Sequence, residues 1–221
     1  MAVALLLQFP ARDTEITVRT ALSSVSSDNA RQNLLAEGEQ LSFEEVKLQA
    51  EQAWREELSQ VQVTATRDNL TQFYTALYHS ALAPRVFADS DGRFLGPDGQ
   101  VHQRSGHTHH DFFSLWDTFR ALHPWKTLFN PERNQQQLLS LLDHADISGL
   151  LPVWNFQGNE TDMMLGYHAV PVLVDNYLKG LLPPELGDKI LQLAVKSAKQ
   201  QAFGLESYQQ LGYVPYAERK W

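Results

Sequence analysis

The chain has no cysteine. Disulfides and thiolate metal sites are therefore excluded, but the compartment is not identified by this alone. No run approaches the ~18 consecutive apolar residues that a membrane-spanning helix needs. A basic excess is also lacking. Lys and Arg number 18 against 26 Asp and Glu, for a net charge of -8 and a pI near 5.4. A general nucleic-acid binder would instead show a basic face. The apolar opening Met1–Phe9 has no basic stretch before it and runs at once into Pro10-Ala-Arg-Asp-Thr-Glu15. It reads as a strand or strand end rather than a signal peptide. No short-period repeat is evident. What is present is 43% hydrophobic residues in 221, which suits a packed core in one large domain or two small ones.

Residues 3–9 and 15–22 read as two strands, with Ile16, Val18 and Thr20 alternating against Thr17, Arg19 and Ala21. Two strands are not stable alone and need partners. From residue 28 the pattern turns helical. Asp28 is a candidate cap for a short helix through Leu35, and Ser42-Phe-Glu-Glu45 matches a capping box. Phe43, Val46, Ala50, Trp54 and Leu58 then form one apolar stripe. Val61–Ala65 is a short extended linker. Asp68 is a candidate cap for the next helix, which turns Phe73, Leu77 and Ala81 inward and ends by Pro84. Residues 86–111 are rich in Asp, Gly, His and Ser and read as a long irregular excursion, functional or disordered. Further helices are predicted at about 112–122, 133–145, 162–180 and 184–202. Leu138, Leu141, Leu142 and Ala145 make one face; Leu186, Ile190, Leu193 and Ala198 make another. Helix pairs joined by loops that carry the polar motifs suggest an α/α toroid or helical array.

The most informative stretch is Leu151-Pro-Val-Trp-Asn-Phe-Gln-Gly-Asn-Glu-Thr161, with Gly166-Tyr-His168 after it. It places Glu160 between a backbone hinge, Gly158, and polar neighbours Asn159 and Thr161, behind the aromatics Trp154 and Phe156. A carboxyl beside flat apolar faces suits carbohydrate chemistry. A glycosidase general acid must be protonated near neutral pH, which burial or a nearby like charge such as Asp162 can achieve. A helix N-terminus, where the predicted helix places Glu160, favours the carboxylate instead. The structural alternative is a loop glutamate closing a helix cap. Upstream, Trp116-Asp117-Thr118-Phe119-Arg120 sets Asp117 and Arg120 on one helical face. They are either sugar ligands beside an indole or a structural ion pair. His168 is either a hydroxyl ligand near Glu160 or a buried histidine satisfied by a backbone partner.

Other motifs are weaker. His107-Thr-His-His-Asp111 has zinc-ligand chemistry, but adjacent side chains do not converge on one ion without a further ligand at a distance. Asp89-Ser-Asp-Gly-Arg93 lacks the full calcium-loop spacing and reads as a solvated turn at the site rim. Asn69-Leu-Thr71 and Asn159-Glu-Thr161 match the glycosylation sequon.

These motifs together resemble family-92 glycoside hydrolases, the calcium-dependent exo-acting α-mannosidases. The resemblance rests on Ser26-Ser-Asp-Asn-Ala-Arg-Gln-Asn-Leu34, Phe73-Tyr-Thr-Ala-Leu-Tyr-His-Ser80, Ser114-Leu-Trp-Asp-Thr-Phe-Arg-Ala121, Gly158-Asn-Glu-Thr161 and Gly212-Tyr-Val-Pro215. It implies Glu160 as general acid and Trp116, Asp117, Arg120, Trp154, Asn159 and His168 as substrate-binding residues. Calcium is the implied cofactor, its ligands unassigned, and mannose-containing glycans the implied partners. The implied location is periplasmic or secreted, and the oligomeric state stays open. The implied fold is mainly α. Residues 1–25 would end an N-terminal β-sandwich, 26–66 would form a helical linker, and 67–221 would make the N-terminal half of an (α/α)6 barrel. The paired aspartates of the catalytic base are expected beyond Trp221, so the chain is expected to be an inactive fragment with faces such as Leu186/Ile190/Leu193 exposed. The alternatives are a non-catalytic glycan-binding remnant and another α/α-toroid glycosidase acting on glucosides.

Overall fold

The computed structural model describes residues 6, 8, 9 and 15–216. Helices dominate, and the strands are short. The expected strand at 3–9 lies mostly outside the described residues. Residues 15–22 form no strand; an extended segment becomes a strand only against a partner edge, and none of the described residues pairs with it.

Helix α1 (Ser27–Glu37) is capped by Ser26, whose Oγ accepts from the N–H of Asn29 at 3.1 Å. Asp28 sits two residues too deep to cap and instead places a negative charge in the first turn. The same correction applies to α3 (Arg67–Ala81), capped by Thr66 rather than Asp68. Helix α2 (Phe43–Leu58) begins with the capping box predicted for Ser42 and Glu45. Its apolar stripe is only half used. Trp54 meets Tyr78 of α3 at a ring distance of 4.6 Å, whereas Phe43 is 68% exposed.

The stretch expected to be irregular is folded. Strand β1 (Arg85–Val86) pairs with β4 (His110–Asp111), and β2 (Arg93–Leu95) pairs with β3 (Val101–Gln103), both antiparallel. Asp89 is buried rather than solvated. Its carboxylate accepts from Ser23 Oγ at 2.6 Å and from Asn33 Nδ2 at 2.8 Å. The turn therefore ties the residues around α1 to the sheet region.

The expected helix at 112–122 is divided into strand β5 (Phe113–Ser114), helix α4 (Leu115–Thr118) and helix α5 (Leu122–Phe129). Helix α6 (Pro131–Ser148) starts with Pro131, which needs no N–H partner there, and stops at Gly149 in the left-handed conformation. Strands β6 (Trp154–Phe156) and β7 (Asn159–Glu160) follow, then α7 (Ala169–Leu178). The predicted helix over 162–180 starts seven residues late for a local reason. Asp162, Met164 and Tyr167 have φ of 54°, 67° and 88°, which a right-handed helix cannot contain. A 3₁₀ turn (Pro184–Leu186), α8 (Gly187–Ala198) and α9 (Leu205–Leu211) complete the described chain.

Leu138, Leu141, Leu142 and Ala145 of α6 are buried at the centre, as their spacing predicts. They pack with Phe113, Leu115, Val172, Leu173 and Ile190. Leu186 and Leu193 also pack against this core. That overturns the expectation of an exposed Leu186/Ile190/Leu193 face: α8 turns it onto α7 and the core. No helix among the described residues is long and apolar enough to cross a membrane.

Candidate active site

Glu160 does not stand at a helix N-terminus. It lies on the second strand of the tight hairpin β6–β7, which closes on the pair Phe156 and Asn159. The two linking residues, Gln157 and Gly158, have φ of 51° and 78°. Left-handed values at both positions define the turn whose twist matches paired strands. Gly158 is required twice over, because a Cβ there would also lie 2.5 Å from the carbonyl oxygen of Leu95. Gly158→Ala should therefore cost roughly 2–4 kcal/mol, from backbone strain and crowding together. Gly106 has a similar φ, 91°, with nothing within 4 Å of its would-be Cβ. Urea unfolding of both Ala variants separates the terms; equal losses would remove the crowding argument.

The sheet brings the two sequence motifs together. Strand β5 pairs with β6 so that Ser114 faces Trp154. The indole N–H of Trp154 donates to Ser114 Oγ at 2.7 Å, and Ser114 Oγ donates in turn to the Asp117 carboxylate in a short hydrogen bond. Phe112 and Phe156 stand close by, their rings 6.1 Å and 5.9 Å from that of Trp154. Glu160 turns its carboxyl into its own hairpin. Oε1 accepts from the N–H groups of Trp154 at 3.0 Å and Asp162 at 2.9 Å, and Oε2 from that of Val153 at 2.7 Å. Burial, and then the charge of Glu160, push the Asp162 carboxyl up from its ordinary value.

The other expected ligands are placed differently from one another. Asp117 and Arg120 are exposed and form no ion pair with each other. Helix α4 ends at Thr118, so the three-residue spacing no longer sets them on one helical face. The Arg120 guanidinium lies over Phe119 at 4.9 Å. Trp116 is half-buried. Asn159 is exposed and donates to the carbonyl of Gln157 at 3.2 Å. His168 precedes α7, with Nδ1 3.1 Å from the carbonyl oxygen of Leu165 and its ring 4.4 Å from Phe119. It thereby joins the Trp116 segment to α7.

Asp111, which closes the histidine run, and two residues that the sequence did not single out, His144 and Asp143, complete the surroundings. Asp111 is 1% exposed; its Oδ2 accepts from the N–H of Gly158 at 2.9 Å, and Oδ1 is buried without a partner. Burial pushes this carboxyl up, against the N–H bond from Gly158. His144, on α6, is buried and pushed down to about 4 by that burial, with the charge of Glu160 partly opposing. The histidine run turns toward α6. His107 Nε2 and His109 Nδ1 both reach Asp143, at 2.7 Å and 3.1 Å, and Arg104 Nε donates to the same carboxylate at 2.7 Å. Asp143 thus gathers two histidines and an arginine by hydrogen bonds. Burial acts to raise its carboxyl, but these three contacts win and hold it well below the usual carboxylate range.

The chain matches known proteins along most of its length. The model of the glycosyl hydrolase family 92 catalytic domain matches residues 29–221. No curated protein matches. Among solved structures, a family GH92 α-mannosidase from Bacteroides thetaiotaomicron is 40% identical with a TM-score of 0.83, over 89% of this chain and 27% of that one. Its complex with mannoimidazole aligns with a TM-score of 0.82, again at 40% identity, over 89% of this chain and 26% of that one. A family GH92 inverting mannosidase from the same organism is 30% identical with a TM-score of 0.78, over 89% of this chain and 28% of that one. The chain thus spans about a quarter of the length of these relatives.

Proposed function

The chain belongs to glycosyl hydrolase family 92, and on that basis we propose that it forms part of an exo-acting, inverting α-mannosidase with preference for α-1,2 linkages in N-glycans or mannans. One observation carries this most directly. The β5–β6–β7 sheet joins the segment of Trp116, Asp117 and Arg120 to the Trp154–Glu160 hairpin through Ser114. A carboxyl, an aromatic group and exposed polar side chains then stand within one small sheet and its flanks. The relatives' description as α-mannosidases, one of them inverting and one bound to mannoimidazole, supports the same chemistry.

In the proposed reaction Glu160 protonates the leaving oxygen as the glycosidic bond breaks. Its Oε2 accepts one N–H and Oε1 accepts two, so a lone pair of Oε2 is the one left to carry the proton. Phe112, Trp154 and Phe156 offer flat apolar faces to the pyranose. Trp116, Asp117, Arg120, Asn159 and His168 are the proposed sugar-binding groups. Inversion needs a second carboxylate roughly 6.5–9.5 Å from the first, to activate water on the opposite face; we assign it to residues outside these 221. In the same proposal 67–221 contributes the first half of an (α/α)6 barrel, 26–66 a helical linker, and 1–25 the end of a β-sandwich.

Calcium is bound by about 6–8 oxygen ligands. Among the described residues no group of three or more His, Asp or Glu side chains could hold a metal ion, and Asp89 is engaged by Ser23 and Asn33. The described residues therefore do not fit a calcium site. The test is hydrolysis by the intact protein of α-1,2-mannobiose against α-glucobioses, with and without a chelator. We expect release from the mannoside alone, with β-mannose as the first product by NMR. Turnover of glucosides, or α-mannose as first product, would overturn the proposal. Mannose binding without turnover would favour a glycan-binding role.

A further inference from the structure

We propose that Asp111 is a positioning residue for the Glu160 hairpin, acting through the N–H of Gly158. The proposal rests on Glu160 being the general acid. Asp111 ends β4, and the residue after it, Phe112, has a φ of 76°. A left-handed conformation at a bulky residue is strained and persists only where the surroundings enforce it. That kink separates two short strands with different partners: β4 pairs with β1, and β5 with β6. Asp111 therefore lies at the junction between the outer ladder and the sheet that carries Glu160.

Its side chain is expensive where it stands. It is almost fully buried, with one well-formed hydrogen bond, to Oδ2, and only looser approaches from the N–H groups of Phe112 and Gln157. A buried carboxyl so sparsely satisfied is destabilising compared with an apolar residue of similar volume. What it does secure is the turn. The N–H of Gly158 points inward between two left-handed residues and has Asp111 as its acceptor. Gly158 is also pressed against the backbone of β2, where its missing Cβ would meet Leu95. The turn is thus held from one side by contact and from the other by a charge-assisted hydrogen bond. Glu160 follows two residues later, and its carboxyl takes its position from N–H groups on both arms of the hairpin. A turn free to rock would move that carboxyl relative to the glycosidic oxygen. Misplacement of about 1 Å can cost ~10²-fold in rate.

The experiment compares turnover of a mannoside with a sugar leaving group and one with an activated aryl leaving group, in the intact protein. Only the first depends strongly on proton donation. Asp111→Ala should lower kcat on the sugar leaving group ~10–100-fold, change KM little, and affect the aryl mannoside much less. Asp111→Asn retains an acceptor for the Gly158 N–H and should recover most of the loss. A purely structural role would lower both substrates equally, through the active fraction, and that result would overturn the proposal. Should Asp111→Ala not fold, Asp111→Val fills the space without an acceptor and carries the same comparison. Glu160→Gln is measured alongside. If it fails to change the ratio, the general-acid assignment falls, and this proposal with it. If it changes the ratio while the Asp111 variants do not, only the role of Asp111 falls.

Discussion

Glu160→Gln should reduce turnover of an α-mannoside with a sugar leaving group by ~10²–10⁴-fold, the usual contribution of a general acid. The structure adds a complication. Both carboxyl oxygens accept backbone N–H groups, from Val153, Trp154 and Asp162. A Gln side chain keeps one acceptor oxygen but turns an NH₂ group toward an N–H on the other side. Leaving a donor unsatisfied costs about 1–3 kcal/mol, so some of the hairpin's stability should be lost as well. Leaving-group chemistry separates the effects. An activated aryl mannoside needs little protonation, so loss of the acid alone leaves it largely intact. Loss of the fold removes both activities together. Near-normal turnover of the sugar mannoside by a folded Glu160→Gln protein would remove Glu160 from the acid role. Loss of both activities at an unchanged melting temperature would assign it a different part in the reaction.

What could be read in advance follows the range of the interactions. The Ser42/Glu45 capping box and the α6 stripe of Leu138, Leu141, Leu142 and Ala145 are local patterns, and the structure contains both. The hairpin under Glu160 was also locally encoded. Trp154-Asn-Phe156 alternates, and Gln157-Gly158 is a short glycine-bearing link. The apolar residues Met163, Met164 and Leu165 drew the prediction toward a helix instead. Left-handed backbone at Asp162, Met164 and Tyr167 stops it, and of these only the aspartate is a residue type that favours such a conformation. Asp111 and Asp143 were not legible in the same way. Their partners lie 47 residues away at Gly158 and 36 away at His107. Such contacts arise only once β4 and α6 are packed. Asp117 and Arg120 mark the opposite failure: a sound spacing rule was applied to a helix that ends at Thr118, between the two residues.

The second large effect expected is acid lability, from histidines buried in the neutral form. His110, His123 and His144 are all nearly inaccessible. Burial pushes them down to about 4, about 3 and about 4. For His123 the nearby charge of Lys126 adds to the effect, and Asn134, outside good hydrogen-bonding geometry, offsets it only in part. The sign follows from proton binding. Between pH 6.5 and these lowered values the unfolded chain is protonated at each histidine and the folded chain is not, so stability falls as pH falls. Each group contributes a slope of about 1.4 kcal/mol per pH unit in that window. By pH 5 the loss is on the order of 2 kcal/mol per histidine. Three of them approach the whole stability of a typical domain, ~5–15 kcal/mol. Other shifted groups modify this slope. Asp143 is held down and adds stability that is lost only well below pH 4, whereas Asp111 and Asp162 are pushed up and act with the opposite sign. Lys126, lowered to about 8, stays protonated throughout the window. Between pH 7.5 and 5, urea midpoints should therefore drop steeply once the pH falls below about 6.5. His123→Phe keeps an aromatic ring without a titrating group and should remove about a third of the slope. A midpoint constant over that range, or a slope unchanged by His123→Phe, would show that these histidines accept protons in the folded protein.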